Sequence, residues 1–399
     1  MVTPRYVPYM GGVENHVAQV SRLLVPYADI TVLTTDTTGK LAEREVMDGV
    51  TILRVRAWPR GADYYVAPRI HSTIVGGEWD LVHVQSYHTA VAPLAMIAAL
   101  RARVPYVLTF HGGGHSSPVR NALRGLQWRA LRPLLARASK LIAVAQFEAE
   151  RFSAILRLPL NRFEVIPNGS DLPAIPAEEA RRLRANGRPT ILSVGRLERY
   201  KGHQRVIEAM PAVLRSLPDS ELRVVGSGPY QHELEAIIAR LGLGEHVTIT
   251  AIPPEDRLAM ARTLTESSLM VLMSEFETHP LAVIEALALG RPALVADTSG
   301  LHEIAQRGLA RAVPLGATAE ELASAIVEEL RHPHTVPNVS APTWDECAQR
   351  LLALYHEVLE SREAVPQPPP RPADGDSKRP ARDSHVDSGL TSLARSRSG

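Results

Sequence analysis

The chain has 399 residues, 45% of them hydrophobic, which is enough apolar material for two cores of ordinary size. A net charge of +1 supplies no field that would draw it to nucleic acid, so no nucleic-acid partner is expected. The single Cys347 excludes an intramolecular disulfide, and the opening MVTPRYVPYM shows no signal-peptide pattern. The longest apolar run, AVAPLAMIAAL (90–100), is interrupted by Pro93 and is far below the ~18 residues of a membrane span. A soluble, cytoplasmic chain is expected. Four lysines stand against forty arginines, so each lysine is more informative than usual.

Read from the start, MVTPRY before a Gly-Gly turn leaves room for only a stub of an opening strand, and a truncated or misassigned start is expected. Short β-branched runs then alternate with helix-length segments. In the first half they are ITVLTT (30–35), VTILRV (50–55), LVHV (81–84), YVLTF (106–110), KLIAVA (140–145) and FEVI (163–166). In the second half they are TILSV (190–194), ELRVV (221–225), VTIT (247–250), LMVLM (269–273) and ALVA (293–296). Near-continuous apolar strands alternating with helices predict parallel sheets covered on both faces, an α/β fold. The charged stretch 173–188 reads as a connection between two doubly wound domains, 1–172 and 189–342. TWDECAQRLLALYHEVLE (343–360) has helical periodicity, whereas 363–399 is rich in Pro, Ser and Arg without apolar periodicity and is expected to be disordered.

In open parallel sheets, ligands bind outside the carboxyl ends of the strands, where the backbone turns into a helix. Five such turns carry informative residues. Gly11 and Gly12 in YMGGVE precede a predicted helix; paired glycines let an anion approach free N–H groups, or simply make a tight turn. His111 ends a strand and is followed by Gly112-Gly113-Gly114, which predicts an imidazole on an open shelf touching a ligand; a solvated or core histidine is the plain alternative. Gly195-Arg196-Leu-Glu-Arg-Tyr-Lys201-Gly202 offers a guanidinium fork and a mobile ammonium between glycines, a pattern that predicts phosphate binding over two solvated cations. Gly226-Ser227-Gly228 fits close approach to a nucleotide, or any tight strand-to-helix turn.

The fifth turn is SEFETHPLAVIEALALG (274–290). From Leu281 to Leu289 only Glu285 is polar, and its neighbours one turn away, Leu281, Ala282, Ala288 and Leu289, offer it no partner. A buried carboxylate without a partner is costly, so Glu285 is expected to face a ligand together with Glu277. Two carboxylates aimed at one cleft suggest a polyol: Glu285 on a ribose and Glu277 on a sugar.

Glu277 and Glu285 eight positions apart, the Gly195-Arg196 to Lys201-Gly202 loop, the Gly11-Gly12 loop and the Val165-Ile-Pro-Asn168-Gly169 turn together resemble glycosyltransferase family 4. The similarity runs from about residue 4 to residue 360. It implies a retaining enzyme of GT-B architecture, with two Rossmann-like domains facing across a cleft and the last helix (343–362) crossing back onto the first. It further implies that Arg196 and Lys201 clamp the diphosphate of a nucleotide-sugar, that Glu285 holds the ribose and that Glu277 holds the transferred sugar. His111 would lie beside that sugar, with Gly12 on the phosphate side and His279, Pro280 and Leu281 lining the donor. Where relatives carry Gly-Phe-Gly, this chain has Thr278-His279-Pro280, and Pro280 removes one backbone donor.

No metal or other cofactor is expected, since fixed cations can stabilise the leaving phosphate. The Asp374-Gly-Asp376 triplet of the tail is read as a decoy for a metal motif. A nucleotide-sugar epimerase of the same architecture and a catalytically silent nucleotide-sugar-binding subunit are the competing readings. The acceptor is open between a glycan, a lipid-linked sugar and a small molecule. The basic segment 119–140, with an exposed-looking Trp128, suggests peripheral contact with an anionic membrane, against a solvated helix as the plainer reading.

Overall fold

The computed structural model describes residues 1–9, 11–60, 65–112, 118–185, 187–336 and 339–363, with backbone only for 118–124 and 363. The tail expected to be disordered lies outside the described residues, as do Gly113 and Gly114. In the first half the β-branched runs form β1 (Thr31–Asp36), β2 (Arg44–Met47), β3 (Val50–Arg56), β4 (Val82–Gln85), β5 (Tyr106–Thr109), β6 (Lys140–Ala143) and β7 (Phe163–Val165). Helices α1 (Gly12–Leu24), α2 (Arg69–Val75), α3 (Val91–Ala102), α4 (Pro118–Leu135) and α5 (Gln146–Leu156) intervene. One ladder runs β2-β3-β1 and another β4-β5-β6-β7. Val2 joins them, bridging Leu33 and Val84 in parallel; its N–H reaches the His83 carbonyl at 2.8 Å and its carbonyl takes the Gln85 N–H at 2.8 Å. The expected stub of an opening strand is therefore this three-residue seam.

Sequence reading missed β2. Its REVM mixes charged and apolar residues and lies mostly exposed, and it pairs antiparallel with β3. The hairpin closes on Asp48-Gly49, both at positive φ (49° and 79°), the geometry that suits the right-handed twist of paired strands.

The second half contains α6 (Ala177–Arg184), β8 (Thr190–Val194), α7 (His203–Ser216), β9 (Glu221–Val225), α8 (Gln231–Arg240), β10 (Val247–Thr250), α9 (Arg257–Glu266), β11 (Leu269–Leu272), α10 (Leu281–Ala288), β12 (Ala293–Ala296), α11 (Ser299–Gln306), β13 (Arg311–Val313) and α12 (Ala319–Arg331). Its all-parallel sheet runs β10-β9-β8-β11-β12-β13, the doubly wound order that reverses between its first and fourth strands. The stretch 173–188, read as a connection, carries α6, which is tied to α9 by Arg262 Nε on Glu179 at 2.7 Å.

The last helix, α13 (Trp344–Glu363), returns to the first half. There Trp344, Cys347, Leu351, Leu354 and Val358 share a buried cluster with Val20, Val107, Ile142 and Ile166. Where the chain leaves and re-enters that half the two passages touch: Ser170 bridges Thr343 in parallel, and its N–H meets the Pro342 carbonyl at 2.7 Å. A Cβ on Gly169 would lie 2.3 Å from the Trp344 nitrogen, so only glycine fits. Among the described residues no helix is long and apolar enough to cross a membrane.

Candidate active site

The reversal between β8 and β11 is where the two most polar turns of the second half meet. After β8 the backbone lies on the turn after β9, with Gly195 N–H on the Val225 carbonyl (3.0 Å) and Leu197 N–H on that of Ser227 (2.9 Å). A Cβ on Gly226 would stand 1.9 Å from the Gly195 oxygen, and one on Gly228 2.4 Å from the Leu197 oxygen. These glycines let two turns of the protein approach each other, as the tight-turn reading of this stretch requires.

Arg196 and Lys201 flank the buried Tyr200. Arg196 Nη2 donates to its hydroxyl at 3.0 Å, and Lys201 Nζ lies 5.5 Å from its ring centre. Arg196 also pairs with Glu198 at 2.9 Å, its side chain still 66% exposed. Lys201 Nζ donates to Glu277 Oε1 at 2.6 Å, and Ser274 Oγ donates to the same oxygen at 2.8 Å. Ser299 Oγ accepts from the Glu277 N–H at 2.8 Å and fixes the turn from α11. Gly202 has φ +77°, and a Cβ there would meet the Met273 oxygen at 1.9 Å, which seats the Lys201 turn against the end of β11. Two residues expected to act on different parts of a ligand are thus each other's partners here.

Glu285 is buried, as the sequence indicates, but it is not alone. Ser170 Oγ donates to its Oε1 at 2.6 Å, and Arg257 pairs with the same oxygen while its Nε holds Asp171 at 2.7 Å. Burial pushes this carboxyl above the ordinary range, and Arg257 opposes the shift. The inference that only a ligand could satisfy Glu285 is therefore corrected: its partners come from the passage between the halves and from α9. Glu285→Gln is consequently expected to lower the melting temperature, because it removes one side of a buried charge pair. An unchanged melting curve would show that the pair contributes nothing. Pro280 caps α10 without a side-chain hydrogen bond, and Leu281 opens the helix. His279 keeps a buried Nδ1 with no partner, and burial lowers its imidazole to about 4.

In the first half, α1 begins on Gly11 with no side-chain cap, and a Cβ on Gly12 would meet nothing within 4 Å. The space beside Gly12 is open, but the Glu14 carboxylate lies over the helix start, its Oε2 2.5 Å from where a Cβ on Gly11 would stand. His111 departs from the expected open shelf: it is 9% exposed, at φ 45°, with Nε2 2.7 Å from Gln85 Oε1 and its ring 4.6 Å from His16, edge to face. His16 Nδ1 in turn lies 2.9 Å from Asn168 Oδ1, and burial lowers that imidazole to about 4.

The halves touch at this point. Thr278 Oγ1 donates to the Gly112 carbonyl, so the turn bearing Glu277 adjoins the turn bearing His111. Glu148 accepts the N–H groups of Gly112 (2.6 Å) and Val144 (2.9 Å), and burial raises its carboxyl to about 7. Phe147 N–H reaches Glu303 at 2.9 Å, and Arg151 lies 4.9 Å from the Phe276 ring. Sequence reading missed Gln85, Glu148, Ser170 and Arg257. Trp128 is also corrected: it is 7% exposed and packs on Tyr87 and Phe152, so it is not a free membrane contact.

Two Rossmann-like parallel sheets, with the last helix returned to the first, define the GT-B class of nucleotide-sugar glycosyltransferases. Residues 10–173 match the model "Glycosyltransferase Family 4" and residues 175–337 match "Glycosyl transferases group 1", and the chain belongs to this family. It is 25% identical over 386 residues, 91% of this chain and all of the relative, to the GDP-mannose-dependent alpha-(1-6)-phosphatidylinositol monomannoside mannosyltransferase of Mycolicibacterium smegmatis. It is 26% identical to D-inositol 3-phosphate glycosyltransferase 1 of Catenulispora acidiphila, over 81% of this chain and 84% of that one. Among solved structures it resembles Anabaena HepE in complex with UDP, with TM-score 0.66, 21% identity and coverage of 91% and 99% of the two chains. The protein is a retaining, hexosyltransferase-type enzyme that takes its sugar from a nucleotide-sugar, so the transferase reading holds over the epimerase and the silent subunit.

Proposed function

We propose that this transferase moves a hexosyl group, without a metal, onto a hydroxyl of a polyol or lipid-linked acceptor. Arg196 and Lys201 stabilise the departing diphosphate. The observation that carries this reading is the Lys201–Glu277 pair at the reversal of the second sheet, on the turn that Thr278 ties to the His111 turn. A donor entering there gives Lys201 a phosphate to neutralise and frees Glu277 to accept sugar hydroxyls. Glu285 holds the ribose, and the first turn of α1 at Gly11 and Gly12 receives the phosphate from the other half once the Glu14 carboxylate beside Gly11 turns away.

As the C1–phosphate bond breaks, the acceptor oxygen bonds C1 from the same face, and its proton passes to the leaving phosphate oxygen. The acceptor class rests on the relatives: the M. smegmatis enzyme is named for a phosphatidylinositol monomannoside, and the C. acidiphila enzyme for D-inositol 3-phosphate. A lipid-linked acceptor would bring α4, with Leu126 69% exposed, to an anionic bilayer surface.

Thermal shifts with UDP-, GDP- and ADP-sugars identify the donor. With that donor, turnover is expected to survive excess EDTA, and NMR of the product should show the donor's anomeric configuration retained. Loss of activity in EDTA that manganese restores would reject the metal-free mechanism, and an inverted product would reject front-face attack.

A further inference from the structure

Behind His111 runs a buried polar line that the mechanism above does not use. Gln85, at the end of β4, is 1% exposed, and its Oε1 lies 2.7 Å from His111 Nε2. Its Nε2 lies 3.2–3.3 Å from both ring nitrogens of His83, so the amide rests over that ring. His83 Nδ1 is 2.5 Å from the Tyr355 hydroxyl of α13, and its Nε2 is 2.7 Å from Thr109 Oγ1. Burial pushes the Tyr355 phenol far up, so it stays a proton donor. With Tyr355 donating to Nδ1, the His83 proton sits on Nε2 and goes to Thr109. Both His83 nitrogens are then taken, and the Gln85 amide meets the ring by its face, which attracts an N–H and not a carbonyl oxygen; the NH₂ therefore lies toward His83 and the carbonyl toward His111.

From this geometry we propose that Gln85 is a positioning residue that sets the tautomer of His111, an inference that rests on the reading of His111 as a contact of the transferred sugar. A carboxamide oxygen can only accept, so the ring nitrogen facing it must carry the proton. His111 is then the Nε2–H tautomer, and Nδ1 presents a lone pair. It accepts a hydrogen bond from a hydroxyl of the sugar or acceptor; the other tautomer would donate instead. The charged and titratable groups around His111 are His16 from α1, His83 from β4, His88 after β4, and Glu148 of α5 through Gly112. Burial, and after it the three imidazoles, hold His111 neutral, so the tautomer, not the charge, is what remains to be set.

The test uses the full chain, labelled with ¹⁵N-histidine. The His111 resonances, assigned by their absence in His111→Ala, are expected to show a protonated Nε2 and an unprotonated Nδ1. Gln85→Met should scramble that preference and lower kcat about tenfold or more at unchanged donor KM. Gln85→Glu keeps an acceptor for Nε2–H, so it should restore most of the rate. Its acid limb should move to higher pH, because a carboxylate favours the imidazolium. An Nδ1–H tautomer in the wild type, or wild-type kcat and pH profile in Gln85→Met, overturns the proposal. If Gln85→Met does not fold, an unmoved acid limb in Gln85→Glu overturns it equally. Full turnover in His111→Ala would instead sink the reading of His111 itself.

Discussion

Replacing Lys201 with alanine is expected to lower kcat by about 10²-fold or more, the scale of losing one preorganised charge at a developing anion. Two effects act together. The leaving diphosphate loses a compact cation, and Glu277, 11% exposed, loses the ammonium 2.6 Å away while keeping the Ser274 hydroxyl and the more distant charge of Arg196. Lys201→Arg should recover only part of the rate, because a planar fork does not occupy the place of an ammonium beside Tyr200. A double-mutant cycle with Glu277→Gln measures the coupling directly, and the two losses should be strongly non-additive. Steady-state kinetics showing kcat within a few-fold of wild type would remove Lys201 from the mechanism.

Stability is expected to fall steeply as pH drops from 7 to 4. His16 and His203 are 2% and 0% exposed, and burial lowers both to about 4. Unfolded, they bind protons near 6.5; folded, they stay neutral to about 4, so through that window the unfolded state takes up protons that the native state refuses. Each histidine contributes at most about 3 kcal/mol, present above 6.5 and lost by pH 4. His83 and His111, held well below the usual range by burial, act in the same direction.

Glu148 works the other way. Its carboxyl is raised to about 7, so the stability it contributes is full below about 4.5 and is lost as pH rises through 7, again about 3 kcal/mol at most. The histidines outweigh it. Two histidines at about 3 kcal/mol each against one such carboxyl leave a net acid loss on the order of 3 kcal/mol, a large share of the 5–15 kcal/mol typical of a folded protein. Urea unfolding at pH 7, 6, 5 and 4.5 measures it, and a curve flat from 7 to 5 would contradict the argument. His16→Asn with His203→Gln should flatten the slope.

The strands were most legible where apolar runs were unbroken, as at LMVLM (269–273) and ALVA (293–296), because burial on both faces demands apolar residues at successive positions. β2 and β13 were not: REVM is an exposed edge, and RAV (311–313) is too short to register. At the site, residue types were legible, since Arg196, Lys201 and Glu277 stand out at strand ends. Their pairing was not. Lys201 meets Glu277 across 76 positions and Ser170 meets Glu285 across 115, and helical neighbours say nothing about either. His111 misled for a related reason: the glycines after it suggested openness, whereas the register of β4 on β5 sets Gln85 beside Thr109 and closes the imidazole in.

The two passages between the halves run side by side at Ser170 and Thr343, so the chain crosses from one half to the other at a single place. Any parting of the halves would have to turn about that place and break the Thr278–Gly112 and Phe147–Glu303 contacts across the cleft. Ser170 sits at the crossing and also grips Glu285, so the buried carboxylate of α10 is tied to the one strip of chain that belongs to both halves.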